Sequence, residues 1–261
     1  ERLIAIITNN FVPCNGRFPT LIAIITMFFV GTQAGPGQSL VSAILLTGVI
    51  LLGVFMTFWV SRLLSGTILR GVPSSFTLEL PPYRRPQIGK VIARSVLDRT
   101  LFVLGRAVAV AAPAGLLIWL CANVTVGGVS ILNHCTGFLD PFARLLGLDG
   151  VILMAFILGF PANEIVVPII IMSYLSTGTL LELDDLGALH ALLVEHGWTW
   201  LTAVCTMLFS LMHWPCSTTC MTIGKETRSL KWTLISFAVP TAVGMAVCFL
   251  TASAARLCGL A

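Results

Sequence analysis

The residues of this chain best equipped for chemistry lie in His213-Trp-Pro-Cys-Ser-Thr-Thr-Cys220, where an imidazole, two thiols and three hydroxyls interrupt an otherwise apolar run. Pro215 supplies no N–H and clashes with the carbonyl one turn back, so a helix starting at Trp198 is expected to break here. Backbone groups freed at membrane depth persist only where they line a cavity or are buried in protein. A second half-helix starting at Pro215 would put Cys216 in its first turn, where the positive end of the helix dipole favours a thiolate. His213, Cys216 and Cys220, spaced i, i+3 and i+7, would share a face in helical register. Phe11-Val-Pro-Cys-Asn-Gly-Arg17 repeats the pattern between the apolar flanks Leu3 to Val12 and Phe18 to Val30. Two Pro-Cys breaks in separate apolar segments are the mark of discontinuous helices from related repeats, which in transporters meet at the substrate site. The opposing reading of each is a proline kink with a packed, inert cysteine.

A carboxylate supplies the third candidate. Gly159-Phe-Pro-Ala-Asn-Glu-Ile-Val-Val-Pro168 holds two prolines and the one charged group of the apolar segment Val151 to Tyr174. A charge at membrane depth costs at least about 2.5 kcal/mol on insertion scales, which makes Glu164 a functional candidate. A structural carboxyl, protonated or paired with Arg17, is the competing reading.

The elements that carry these residues follow from composition. Charged residues are 10% of the 261 and hydrophobic ones 57%, with mean hydropathy +0.97. Soluble domains are about 25% charged, so the fold class is an all-α integral membrane protein. We expect a bundle of transmembrane helices, broken or re-entrant at the two Pro-Cys motifs and at the Asn-Glu motif. The length accommodates about six or seven crossings or hairpins at roughly 20 residues per span. The net charge of +4 does not point to nucleic acid, because eight of the fifteen Lys and Arg fall between Arg62 and Arg106. Cys121, Cys205, Cys248 and Cys258 lie in or beside apolar spans and read as packed thiols rather than a disulfide framework. Gly31 to Gln38 lacks the lysine and spacing of a phosphate loop and reads as a turn.

Four regions are expected. Residues 1–64 hold the first broken helix and a span over Leu40 to Leu64; 65–100 are a basic cytoplasmic linker ending in an amphipathic surface helix over Ile88 to Asp98. Residues 101–150 hold a span from Leu101 to Cys121 and an outer loop from Asn123 to Asp149. In 151–261, a second outer loop over Ser176 to Gly197 leaves Val151 to Tyr174 as a re-entrant hairpin. The broken helix then runs inward to Lys225, Arg228 and Lys231, and Trp232 to Ala255 runs out again.

The opening Glu1 to Thr20, the linker Leu78-Glu-Leu-Pro-Pro-Tyr83, Asn163-Glu164-Ile-Val-Val and His213-Trp-Pro-Cys216 occur in the order found in the bacterial ferrous iron transport protein B family. Nearly the whole chain resembles the second half of that family's membrane region. The resemblance implies two gate regions, similar to nucleoside-recognition domains, with Fe²⁺ as the transported ion and no permanently bound cofactor. It implies no enzyme activity here, because GTP hydrolysis resides in an N-terminal GTP-binding domain that the chain is expected to lack. It departs at Asn163, where relatives often carry lysine. Fe²⁺ accepts thiolate, imidazole and carboxylate, so the ligand set implied is Cys14, Glu164, His213, Cys216 and Cys220. Asn15, Arg17, Asn163, Ser217 and Thr218 are expected beside the path. The implied partners are the lipid bilayer, the cytoplasmic GTP-binding domain, a small accessory protein and a homo-oligomer, without nucleic acid. The implied location is the bacterial inner membrane, crossed several times. An organic-solute or nucleoside carrier, a thiol-redox protein using Cys216 and Cys220, and a scaffold docking a GTPase are the alternatives.

Overall fold

A computed structural model describes residues 2–31, 36–67, 87–180 and 185–259. The linker motif Leu78 to Tyr83 and the acidic residues Glu182 and Asp184 lie outside the described residues. Two long unbroken helices organise the rest: α3 (Pro36–Gly66) and α12 (Leu230–Leu257). Each is apolar and long enough alone to cross a membrane, and α3 contains the expected span Leu40 to Leu64.

Each long helix backs a broken one. Along α3 run α1 (Arg2–Thr8), a 3-10 turn at Asn9–Phe11, the Pro13-Cys14 break, and α2 (Phe18–Ile25), which continues as a π-helix through Val30. Ile7, Phe11, Met56, Val60 and Leu64 pack into one cluster, and the Ser61 hydroxyl donates to Thr8 Oγ1 at 3.2 Å. Along α12 run α10 (Trp200–Met212), an extended stretch through Cys216, and α11 (Ser217–Thr227). In both pairs a glycine of the unbroken helix lies against a carbonyl of the break. A Cβ on Gly53 would stand 2.4 Å from the Phe11 oxygen, and one on Gly244 would stand 3.1 Å from that of Met212. The backbone can therefore approach where the helix opens, as small residues allow between membrane helices.

Between these pairs, α7 (Gly150–Leu158) and α8 (Val166–Leu175) form the expected hairpin. Tyr174, near the end of α8, donates its hydroxyl to Asp149, the N-cap of α7, and accepts from Trp198 Nε1 at 2.8 Å. Both ends of the hairpin are thus tied together on one side. Its tip, Gly159 to Ala162, lies at the second break, where Phe160 O accepts from Ser217 N at 2.9 Å.

Three expectations are corrected. The loop from Asn123 to Asp149 is mostly helical: after a small β1 (Thr125–Val126) and β2 (Val129–Ser130) hairpin comes α6 (Ile131–Leu145), capped by Ser130 Oγ accepting from Asn133 N. Its buried Leu132, Thr136 and Ala143 recur at helical spacing and face α7, which it meets at a 109° bend. The loop from Ser176 to Gly197 likewise holds α9 (Leu186–Glu195), capped by Asp185 on the N–H groups of Gly187 and Ala188. The basic helix α4 (Ile88–Arg94) is not a separate surface element. It continues through a π-helical turn at Ser95–Leu101 into α5 (Phe102–Asn123), the helix that covers the segment read as a span from Leu101, because no helix breaker stands between them.

Gly53→Ala is expected to lower thermal stability in detergent by about 1–3 kcal/mol, as overpacking does. Gly48→Ala, on the same helix with open space around it, should be neutral or slightly stabilising. Equal unfolding temperatures for the two variants would contradict the close approach.

Candidate metal-permeation site

The second break differs in register from the sequence expectation. The half-helix starts at Ser217 with Cys216 as its N-cap in extended conformation, so Cys216 precedes the first turn. The tip of the α7–α8 hairpin explains the shift, because Phe160 O satisfies the first helical N–H, that of Ser217, and Pro161 O accepts from the Ser217 hydroxyl at 3.3 Å. His213 ends α10 with ψ −179°, and the extended residues after it remove the shared face predicted for His213, Cys216 and Cys220. Cys216 Sγ instead sits 3.1 and 3.2 Å from the hydroxyls of Thr218 and Thr219. Cys220, one turn on, directs its thiol at Pro215 O, 3.6 Å away.

Arg17 joins the first break to the second. Its side chain is buried, and Nη1 donates to Asn10 O at 2.8 Å and to Leu211 O at 2.9 Å. Nη2 donates to the carbonyls of His213 and Trp214, both at 3.3 Å. Asn10 adds a donation from Nδ2 to His213 O at 2.6 Å. The guanidinium therefore supplies the hydrogen bonds that Pro215 and the extended backbone take from the end of α10. The sequence reading that paired Arg17 with Glu164 is corrected: among the described residues the ion pairs are Arg2–Glu226 and Asp140–Arg144. A fork of five donors suits several carbonyls better than it suits one carboxylate across an open turn.

Asn163, at the hairpin tip, connects both breaks. Its buried amide lies 3.8 Å from the Cys14 thiol and 3.3 Å from His213 Nε2. His213 Nδ1 faces the carbonyls of Phe209 and Ser210, which only accept, so Nδ1 carries the hydrogen and Nε2 presents its lone pair to the Asn163 amide. Asn163 Nδ2 is the donor toward Cys14 Sγ and Oδ1 lies toward His213 Nε2; a half-turn of the amide would bring NH₂ to the ring and oxygen to the S–H. His213 thus reaches the site through Asn163. Glu164 is exposed beside the first break, where a Cβ on Gly16 would stand 3.3 Å from Oε1. Asn15 is exposed in the same turn.

A cavity of about 460 Å³ opens where these pieces meet, with Cys14, Arg17, Asn163 and Cys216 among its lining residues. Glu164, His213 and Cys220 stand outside that lining, and among the described residues no three of His, Cys, Asp and Glu are placed to hold a metal together. What the arrangement offers is single thiol, amide and hydroxyl groups in sequence, suited to brief contacts with a cation. Asn10 was missed from sequence. Its signal was the polar pair Asn9-Asn10 in an apolar segment just before a proline break.

Residues 104–230 match the family model for gate domains, described as nucleoside recognition, and residues 46–99 match the ferrous iron transport protein B C terminus. The Fe(2+) transporter FeoB of Staphylococcus aureus strain COL is 28% identical over 260 residues, covering 96% of this chain and 36% of that protein. The proteins of the same name from Leptospira interrogans serovar Lai and Campylobacter jejuni are 26% and 24% identical, covering 96% and 91% of this chain. The chain spans between 36% and 39% of the length of these relatives. No solved structure gives a significant match. Two family models in tandem and relatives aligned over nearly every residue agree with the motifs, and the chain is similar to the C-terminal part of the membrane region of ferrous iron transport protein B.

Proposed function

We propose that this chain forms part of the Fe²⁺ permeation path of a transporter in the bacterial inner membrane, handing the ion between thiol, imidazole and carboxylate groups at its broken helices. The observation that carries the reading is the convergence of both Pro-Cys breaks and the Asn-Glu tip on one cavity, through the Asn163 amide between Cys14 and His213. Cys14 and Cys216 are the central ligands, and the Thr218 and Thr219 hydroxyls hold the Cys216 thiol in place. Glu164 balances the ion's charge at the first break. His213 becomes a ligand when Asn163 swings aside and frees Nε2, and Cys220 takes the ion one helical turn beyond Cys216. Freed carbonyls at the breaks replace part of the hydration shell.

Preference for Fe²⁺ over Zn²⁺ must come from geometry and supply, since thiol and imidazole bind Zn²⁺ at least as well. GTP hydrolysis belongs to the cytoplasmic domain of the whole transporter, and a small accessory protein and a homo-oligomer complete the proposed assembly. Lys225, Arg228 and Lys231, around the turn from α11 to α12, support a cytoplasmic position for that end. An organic-solute carrier is the weaker reading. The described lining of the cavity holds no aromatic side chain on which a base could stack.

In a full-length transporter carrying this chain, Cys216 should react with a small water-soluble alkylating agent well before the buried Cys205 and Cys248. Fe²⁺ or Zn²⁺ should slow that reaction, and Cys216→Ser should remove both the fast phase and its protection. Alkylation no faster than at Cys205, or unaffected by metal, would return the break to a packed kink.

Glu164→Gln keeps the size of the side chain and removes its charge. Iron uptake by the same transporter is expected to fall severalfold with expression unchanged, and unaltered uptake would leave Glu164 a structural role.

A further inference from the structure

The cavity that reaches Cys14 and Cys216 has a second end. From the depth of the two breaks it continues between α1 and α11 to Arg2 and Glu226. One wall is the face of α1 bearing Arg2, Ala5, Ile6 and Asn9, spaced i, i+3, i+4 and i+7. The opposite wall is α11, where the N-cap Cys216 is followed by Thr219, Thr222, Ile223 and Glu226, all but Ile223 polar. At the mouth, the Arg2 guanidinium pairs with the Glu226 carboxylate and so bridges the two broken helices. Both side chains are exposed, at 74% and 56%, unlike the buried Arg17 at the other end. An exposed ion pair is a weak, salt-sensitive closure, suited to a contact that must open repeatedly.

We infer that the α1–α11 corridor is the cytoplasmic exit for a divalent cation, with Glu226 as its last ligand and Arg2 as a displaceable latch. The inference rests on the permeation reading above. Hydroxyls at each turn of α11 give a partly hydrated cation oxygen partners on the way from Cys216. The carboxylate at the mouth gives it an anion to exchange for the Arg2 guanidinium. Neither Arg2 nor Glu226 stands out in the sequence, because each is one charge at the end of a helix. The folded corridor gives them a common purpose.

The test uses a full-length transporter carrying this chain in inside-out vesicles, with Cys14 and Cys216 modification read peptide by peptide by mass spectrometry. A cationic methanethiosulfonate reagent, bearing trimethylammonium, is compared with an anionic one bearing sulfonate. Arg2→Gln is expected to speed cationic modification of Cys216 by about threefold or more, because an unpaired carboxylate at a cleft concentrates cations. Glu226→Gln should lower the cationic-to-anionic rate ratio by a similar factor. The double exchange Arg2→Glu with Glu226→Arg restores a closed pair and should return the rate to near the parent's, which separates loss of the latch from loss of the fold. Unchanged rates in both single variants would overturn the corridor. If Fe²⁺ protects Cys216 while those rates stay unchanged, the corridor falls and the permeation reading stands. If the rates shift while Fe²⁺ gives no protection, the corridor stands as the access route and the iron reading falls.

Discussion

A single buried guanidinium holds this fold open at its centre. Four carbonyls, those of Asn10, Leu211, His213 and Trp214, accept hydrogen bonds from Arg17. A carbonyl left unpaired by loss of these bonds would cost about 1–3 kcal/mol, although that of His213 keeps a second donor in Asn10 Nδ2. The same contacts locate the two breaks relative to one another, since Arg17 belongs to the first and three of its carbonyls to the second. The hairpin tip completes the arrangement from the third side by satisfying the Ser217 N–H. With its carbonyls and its first N–H matched to outside partners, the helix can stay broken without refolding into a continuous rod.

Much of this was legible in the chain. The prolines marked both breaks and the hairpin tip, because a missing N–H is a local fact that the surroundings cannot repair. A hairpin over Val151 to Tyr174 was expected, and its ends meet at Asp149 and Tyr174. The register at Cys216 was not legible, because the first satisfied N–H of α11 depends on Phe160, more than fifty residues earlier in sequence. The role of Arg17 was misjudged for a related reason. Charge alone suggested a carboxylate partner, whereas the need for donors at distant carbonyls appears only once the two breaks are side by side. Helix α6 was hidden by its polar residues and α9 by the acidic residues that flank it, although Ser130 and Asp185 are ordinary capping signals at their starts.

The two halves of the site are built alike without being copies. Each consists of a broken helix, a Pro-Cys step and an unbroken helix whose glycine faces the opened backbone. Phe11 and His213 hold equivalent places before the proline, and this difference sets their chemistry. Phe11 is locked in an apolar cluster, whereas His213 stacks with Phe209 and keeps one ring nitrogen turned toward Asn163. Repeats of one architecture have thus been divided into a packing side and a polar side.

Helix α12 buries Ser236, Pro240, Gly244, Cys248 and Ala252, one small or compact residue every four positions. In a bilayer the surroundings are as apolar as the interior, so burial of such a stripe is not rewarded by a hydrophobic effect and the helices cohere by close contact alone. Volume, not polarity, is then the selected property along this helix. A glycine-to-serine change on the stripe is a graver event than a leucine-to-phenylalanine change on the outer face. The sequence record of such a helix should accordingly drift freely in hydrophobic identity while keeping a four-residue rhythm of size.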